Sequence, residues 1–234
     1  MRTIILLIVY LILLIPLMIF MFFCYIARVT NPIIKIGKYA MSLSRFILGI
    51  KVEVRGLDHV DKHSPYIFMA NHASFIDGPL LFMLIPQFSR VILKKQIFRV
   101  PVVGLGMKQI GFIPVDRKGR QGGRKAIERA SSLIKKKGYS FLIFPEGTRT
   151  LDGKLQEFRR GGFFLALESK APIVPVALKG SYQIMPKGTF FIKRGRVKVK
   201  FLPPVSLDGY NEKNINQLKE NVRGMIKNQL EKER

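Results

Sequence analysis

The segment Asn71-His72-Ala73-Ser74-Phe75-Ile76-Asp77-Gly78 sets a histidine and a carboxylate five positions apart, directly after an apolar run at residues 66–70. Histidine is the side chain best suited to accept a proton near neutral pH. A carboxylate behind it can hold the ring, fix the tautomer and stabilise the imidazolium that forms. Such a pair needs no nucleophilic serine when the substrate brings its own hydroxyl. On a regular helix, residues five apart point about 140° away from each other. His72 must therefore lie in a loop, with Asp77 in or near the first turn of the helix that follows. The same letters have a second reading, because Ser74-Phe75-Ile76-Asp77 fits a capping box and Pro79 suits an early helical position.

Three further segments carry charge or turn chemistry. Gly111-Phe112-Ile113-Pro114-Val115-Asp116-Arg117 puts a basic residue after a short apolar run. Phe144-Pro145-Glu146-Gly147-Thr148-Arg149 puts Glu and Arg in a glycine-containing turn, and Ala171-Pro172-Ile173-Val174-Pro175-Val176 is an apolar run bounded by prolines. Arginine is the favoured phosphate ligand because its planar fork makes two parallel charge-assisted bonds. Taken singly, the three read equally well as a surface ion pair, a turn and a buried strand. His59 and His63 lie in a polar stretch and read as surface residues.

The elements that must hold these residues are short apolar runs alternating with helical periodicity, which predicts an α/β domain with a mixed sheet flanked by helices. Strands are expected at residues 66–70, 141–144, 173–178 and 197–201. Ala126, Ile127, Ala130, Leu133 and Ile134 mark a helix that ends on Lys135, Lys136, Lys137 and Gly138, a basic last turn with a glycine stop. Residues 189–201 read as a hairpin around Lys193-Arg194-Gly195-Arg196. Ile215, Leu218, Val222, Ile226 and Leu230 mark a final amphipathic helix. No internal repeat or long linker divides residues 51–234.

Ahead of this domain, residues 4–27 contain no charge. As a helix the run is roughly 36 Å long, against about 30 Å of bilayer hydrocarbon. It is too long for a signal peptide and is expected to anchor the mature chain. Basic residues follow it, and the positive-inside rule then places the catalytic part at the cytoplasmic face of the cell (inner) membrane. Pro16 and the apolar stretch at 33–50, which carries Lys35, Lys38 and Arg45, also allow two helices joined at Thr30-Asn31-Pro32 and seated in one leaflet. Residues 1–50 are thus the anchor. The lone cysteine, Cys24, excludes an intrachain disulfide, and no Cys/His spacing suits zinc. The formal net charge of +25 favours anionic partners such as anionic lipid or a phosphorylated substrate. Nucleic acid is not expected, because no zinc finger, aromatic RNA-binding signature or basic recognition helix is present.

Together and in this order, the four segments around His72, Arg117, Glu146 and Pro175 resemble the four motifs of the glycerolipid acyltransferases, specifically the bacterial 1-acyl-glycerol-3-phosphate acyltransferases. The resemblance implies that His72 is the general base and Asp77 its partner. It implies acceptor binding by Arg117, Glu146, Gly147, Thr148 and Arg149, a wall of the site at Pro175, and a phosphate contact from Lys94. Arg159, in Phe158-Arg159-Arg160-Gly161, stands where the family has a further cation. The implied reaction moves a fatty acyl group from acyl carrier protein or coenzyme A to the sn-2 hydroxyl of lysophosphatidic acid, giving phosphatidic acid. The thioester is a co-substrate, and no other cofactor and no metal is expected.

Overall fold

The computed structural model describes residues 2–100, 102–116 and 120–233. The chain opens with two helices, the first built on the uncharged run of residues 4–27 and the second, which carries Lys35, Lys38 and Arg45, on the apolar-rich stretch after the break at Arg28 to Thr30. Helix α1 is Arg2–Ile26 and α2 is Asn31–Leu48, with Pro32 in its first turn and the Gly49 N–H returning to the carbonyls of Arg45 and Phe46. The remaining elements are β1 (Ile50–Arg55), β2 (Ile67–Ala70), α3 (Asp77–Leu84), β3 (Arg90–Lys94), α4 (Val103–Gln109), β4 (Ile113–Val115), α5 (Arg120–Lys137), β5 (Phe141–Ile143), α6 (Gly161–Ser169), β6 (Ile173–Lys179), α7 (Ser181–Ile184), β7 (Gly195–Phe201) and α8 (Ile215–Lys232).

The strands form one mixed sheet in the order β1-β7-β6-β2-β5-β3-β4. All neighbours run parallel except β6 and β7, which are antiparallel. Side chains alternate across the sheet. Phe68, Ala70, Val174, Val176, Val197, Val199 and Phe201 therefore meet Ile33, Ile34, Leu80 and Leu81 from α2 and α3. On the opposite face Ile67, Met69, Phe141 and Ile173 meet Ala126, Ala130 and Ile134 of α5, Phe163 of α6, and Leu218, Val222 and Ile226 of α8. Each of those large apolar side chains contributes about 1.5–3 kcal/mol by leaving water, which is how the period of α5 and α8 in the sequence becomes packing.

The hairpin expected at residues 189–201 does not form. Only Gly195–Phe201 is a strand, and its partners are β1, in register Ile50 to Gly195, and β6, in register Val176 to Phe201. The alternation of Val197, Val199 and Phe201 is satisfied by strands distant in sequence, so residues 185–194 are released as a loop. Strand β1, not anticipated, takes the edge of the sheet.

Helix α1 lies along the domain. At its start the Arg2 guanidinium donates to the Leu48 carbonyl at 3.3 Å, and Thr3 Oγ1 accepts the N–H of Ile192. Near its end the Met21 carbonyl accepts from Gln109 Nε2 of α4 at 3.2 Å, and Met21 and Cys24 are buried. Most of the other apolar side chains of α1 face outward, and it is long and apolar enough to cross a membrane.

Candidate active site

Strands β2, β5, β3 and β6 point their carboxyl ends to one edge of the sheet, the usual place for chemistry in such folds. Asn71, the first residue beyond β2, is buried. Its side-chain NH2 donates to the Leu178 carbonyl at 2.9 Å while its oxygen accepts the Leu178 N–H at 2.8 Å. One amide thus extends the ladder to β6 and fixes the main chain immediately before His72.

From there the chain turns into α3, whose first residue is Asp77. His72 Nδ1 lies 3.0 Å from Asp77 Oδ2. The same oxygen accepts the N–H groups of Ala73 at 2.8 Å and Ser74 at 2.7 Å. An oxygen that already accepts two backbone donors is an acceptor for the ring as well, so Nδ1 carries the proton and Nε2 is left as the basic nitrogen. Only half of the capping box forms: Asp77 accepts the Ser74 N–H, but Ser74 Oγ donates to the Met185 carbonyl and does not cap the helix, so Asp77 braces the turn before α3 and orients the histidine. Asp77 is fully enclosed, whereas the His72 side chain is 20% exposed and open to substrate. The Phe144 ring stacks on the imidazole with centroids 4.0 Å apart and planes 19° apart. This contact restricts ring rotation and offers an aromatic face to the imidazolium that forms when Nε2 takes a proton.

Glu146 holds the loop from the other side. Its Oε1 accepts the His72 N–H at 2.7 Å, and Oε2 accepts the backbone and side-chain N–H groups of Gln156 at 3.2 and 3.0 Å. Burial pushes its carboxyl above the usual glutamate range, opposed by those hydrogen bonds. Both oxygens are thus engaged by the protein, facing inward and not toward an acceptor. The Thr150 N–H donates to the His72 carbonyl at 3.0 Å, completing the link between the 144–150 turn and the histidine. Glu146→Gln replaces one acceptor oxygen by a donor that must face either the His72 N–H or the Gln156 amides. Hydrogen bonds to charged groups contribute about 1.5–3 kcal/mol, so a thermal or urea melt is expected to show a loss of that size together with reduced turnover.

The turn itself needs Gly147, whose φ is +75°; a Cβ there would meet Arg159 Nε at 2.8 Å. Arg159 is draped over the turn, Arg149 lies over the Phe75 ring at 5.9 Å, and Lys187 Nζ donates to Thr148 Oγ1 at 3.2 Å and to the Arg149 carbonyl at 3.3 Å. Among the described residues none of these three cations is paired with a carboxylate. The turn is therefore a positively charged rim beside His72, suited to a phosphate.

Of the other residues singled out in the sequence, Lys94 is exposed at the carboxyl end of β3, on the same edge of the sheet. Pro175 is not brought to the histidine. It lies in β6 opposite Met69, and strand alternation gives it the face of Ile173 and Ala177, toward α5, α6 and α8. Arg117 lies outside the described residues. Asn71, Phe144, Gln156 and Lys187 have roles that sequence reading did not assign. Asn71 and Phe144 stand inside the segments that drew attention, whereas Gln156 and Lys187 have no local signature.

Residues 51–179, more than half of the chain, match a family described as Acyltransferase. The chain is 35% identical over 165 residues to a 1-acyl-sn-glycerol-3-phosphate acyltransferase of Limnanthes alba, covering 70% of this chain but only 58% of that one. It is 31% identical over 191 residues to 1-acyl-sn-glycerol-3-phosphate acyltransferase alpha of Mus musculus, covering 81% and 67% of the two chains. Among solved structures, the 1-acyl-sn-glycerophosphate (LPA) acyltransferase PlsC of Thermotoga maritima superposes with a TM-score of 0.78 at 27% identity, covering 99% of this chain and 97% of that one.

Proposed function

Since this chain belongs to the acyltransferase family, we propose that it transfers a fatty acyl group from a thioester carrier to the sn-2 hydroxyl of a 1-acyl-glycerol-3-phosphate, making phosphatidic acid for phospholipid synthesis. The observation that carries the reading is the 3.0 Å contact from His72 Nδ1 to the buried Asp77, which leaves Nε2 as a base on a partly exposed ring.

The steps follow from that geometry. His72 Nε2 takes the proton from the acceptor hydroxyl as its oxygen attacks the thioester carbonyl. Asp77 and the Phe144 face stabilise the imidazolium. The tetrahedral oxyanion then collapses, the carbon–sulfur bond breaks, and the thiolate recovers the proton from His72. Glu146 acts by positioning the His72 main chain. Arg149, Gly147, Thr148 and, by family resemblance, Arg117 and Lys94 form the acceptor-binding rim. Acyl carrier protein and coenzyme A are both anionic and suit the basic surface, as does lysophosphatidic acid itself.

The same reading seats α1 in one leaflet at the cytoplasmic face of the cell membrane. Contacts from both ends of the helix to one domain support a seat in one leaflet over a span. Its outward apolar face remains free for lipid.

The direct test is release of free thiol from acyl-coenzyme A, or from acyl carrier protein, by purified full-length protein given lysophosphatidate. Release that depends on the acceptor supports the reading, and no acceptor-dependent release with either carrier overturns it. Arg149→Ala should raise the KM for the phosphorylated acceptor by roughly 10-fold to 100-fold, the equivalent of one charge-assisted bond lost from ground and transition state alike, with the KM for thioester little changed. Arg117→Ala is expected to act in the same direction. An equal loss with an acceptor lacking phosphate would contradict the assignment.

A further inference from the structure

The loop released by the missing hairpin carries the most exposed large apolar side chain among the described residues, Phe190 at 86%, next to Phe191 at 69%. Single exposed apolar residues are ordinary. Here two aromatic rings are adjacent on a short closed loop, whose ends meet where the Lys193 N–H donates to the Ile184 carbonyl at 3.0 Å. A turn inside it is held by Thr189 Oγ1 donating to the Pro186 carbonyl at 2.9 Å. Lys187, Lys193 and Arg194 flank the rings. Residues 185–196 contain no acidic side chain, and none of those three cations is in an ion pair among the described residues.

The position of the loop is what gives this meaning. On one side Met185 accepts from Ser74 Oγ at 2.8 Å, and Lys187 reaches Thr148 and Arg149, so the loop leaves directly from the wall of the active site. On the other side the Ile192 N–H donates to Thr3 Oγ1 at the start of α1, and a Cβ on Gly49 would meet both the Arg2 guanidinium and the Cβ of Arg194. The aromatic pair thus stands next to a residue bonded to the start of α1, the helix whose apolar side chains are mostly exposed.

We propose that residues 186–194 form a second membrane contact, in which Phe190 and Phe191 enter an anionic lipid surface while Lys193 and Arg194 meet its headgroups. The inference rests on the reading of this chain as an enzyme working at a bilayer. Aromatic rings settle at the level of the headgroups, and basic residues beside them gain from anionic lipid. With α1 on one side of the site and this loop on the other, the mouth of His72 is held against the interface where a lysolipid lies.

The chain contains no tryptophan, so Phe191→Trp in the full-length protein is a single fluorescent reporter. The probe is a vesicle of phosphatidylcholine and phosphatidylglycerol with brominated acyl chains. The expected result is a blue shift and quenching of Trp at 191. A Tyr210→Trp control, on the face packed with α8, should stay unquenched. If the protein pellets with vesicles but the reporter keeps a water-exposed spectrum, the loop proposal is overturned while the bilayer reading stands. A shift that appears only on adding acyl carrier protein also overturns it. If the protein does not pellet at all, both fall. The double variant Phe190→Ser, Phe191→Ser should lower turnover of vesicle-borne acceptor by at least about ten-fold, since even one aromatic withdrawn from lipid forfeits an apolar transfer of roughly that factor. Turnover of a short-chain soluble acceptor should be unaffected, and an equal loss on both would count against the proposal.

Discussion

Replacing His72 by alanine is expected to lower kcat by about 10²–10⁴-fold, the range attributable to a positioned general base, and to leave the protein folded. The fold should survive because the ring is at the edge of the core and makes one side-chain hydrogen bond. Asp77 Oδ2 keeps the N–H groups of Ala73 and Ser74 when the ring is removed. The KM for thioester should change little, since the proton transfer occurs in the transition state. Steady-state kinetics with circular dichroism on the same sample checks both halves. Near-normal turnover from a folded variant would mean that another group takes the hydroxyl proton.

Asp77→Asn separates the two duties that the structure gives to one oxygen. An asparagine oxygen in the place of Oδ2 can still accept from Ala73 and Ser74, so the start of α3 is kept. The amino group then takes the place of Oδ1, which is enclosed and without a hydrogen bond. The negative charge behind the imidazolium is lost. If Asp77 served only to brace the turn before α3, the change would be almost neutral, because the asparagine oxygen accepts the same two N–H groups. If it supports His72, kcat should fall by up to about 10⁴-fold, as when the carboxylate behind a catalytic histidine is neutralised. A melting temperature near wild type combined with that loss is the expected pair of results. Full activity would reduce Asp77 to a brace of the turn before α3.

The parts of this site that could be read in the sequence are those closed by local geometry. His72 and Asp77 are joined by one loop and the first turn of a helix, so their spacing alone implied that the histidine must precede the helix and the carboxylate must point back. The strands around Ile67, Phe141, Ile173 and Val197 showed in their apolar runs, and α5 and α8 in their period. What the sequence hid depends on partners far away. The alternation of Val197, Val199 and Phe201 suits any neighbour, and the neighbours proved to be β1 and β6 and not an adjoining strand. Strand β1 was missed because its alternation of Lys51, Val52, Glu53, Val54 and Arg55 is that of a half-exposed edge. Pro175 lies in a segment that resembles a family motif, yet its place in β6 gives it to the face away from α3. Glu146 shows the same limit: its letters fit a ligand to substrate, and only the enclosed contacts with His72 and Gln156 reveal a brace.

In the proposed reaction the acyl group passes directly to a lipid hydroxyl with His72 as base. It is tested most directly by giving the full-length protein a thioester and lysophosphatidate, then measuring free thiol and phosphatidate in the same reaction. The prediction is one phosphatidate formed for each thiol released, with both lost together in His72→Ala. Thiol release without phosphatidate, or undiminished phosphatidate from the His72→Ala protein, would contradict it.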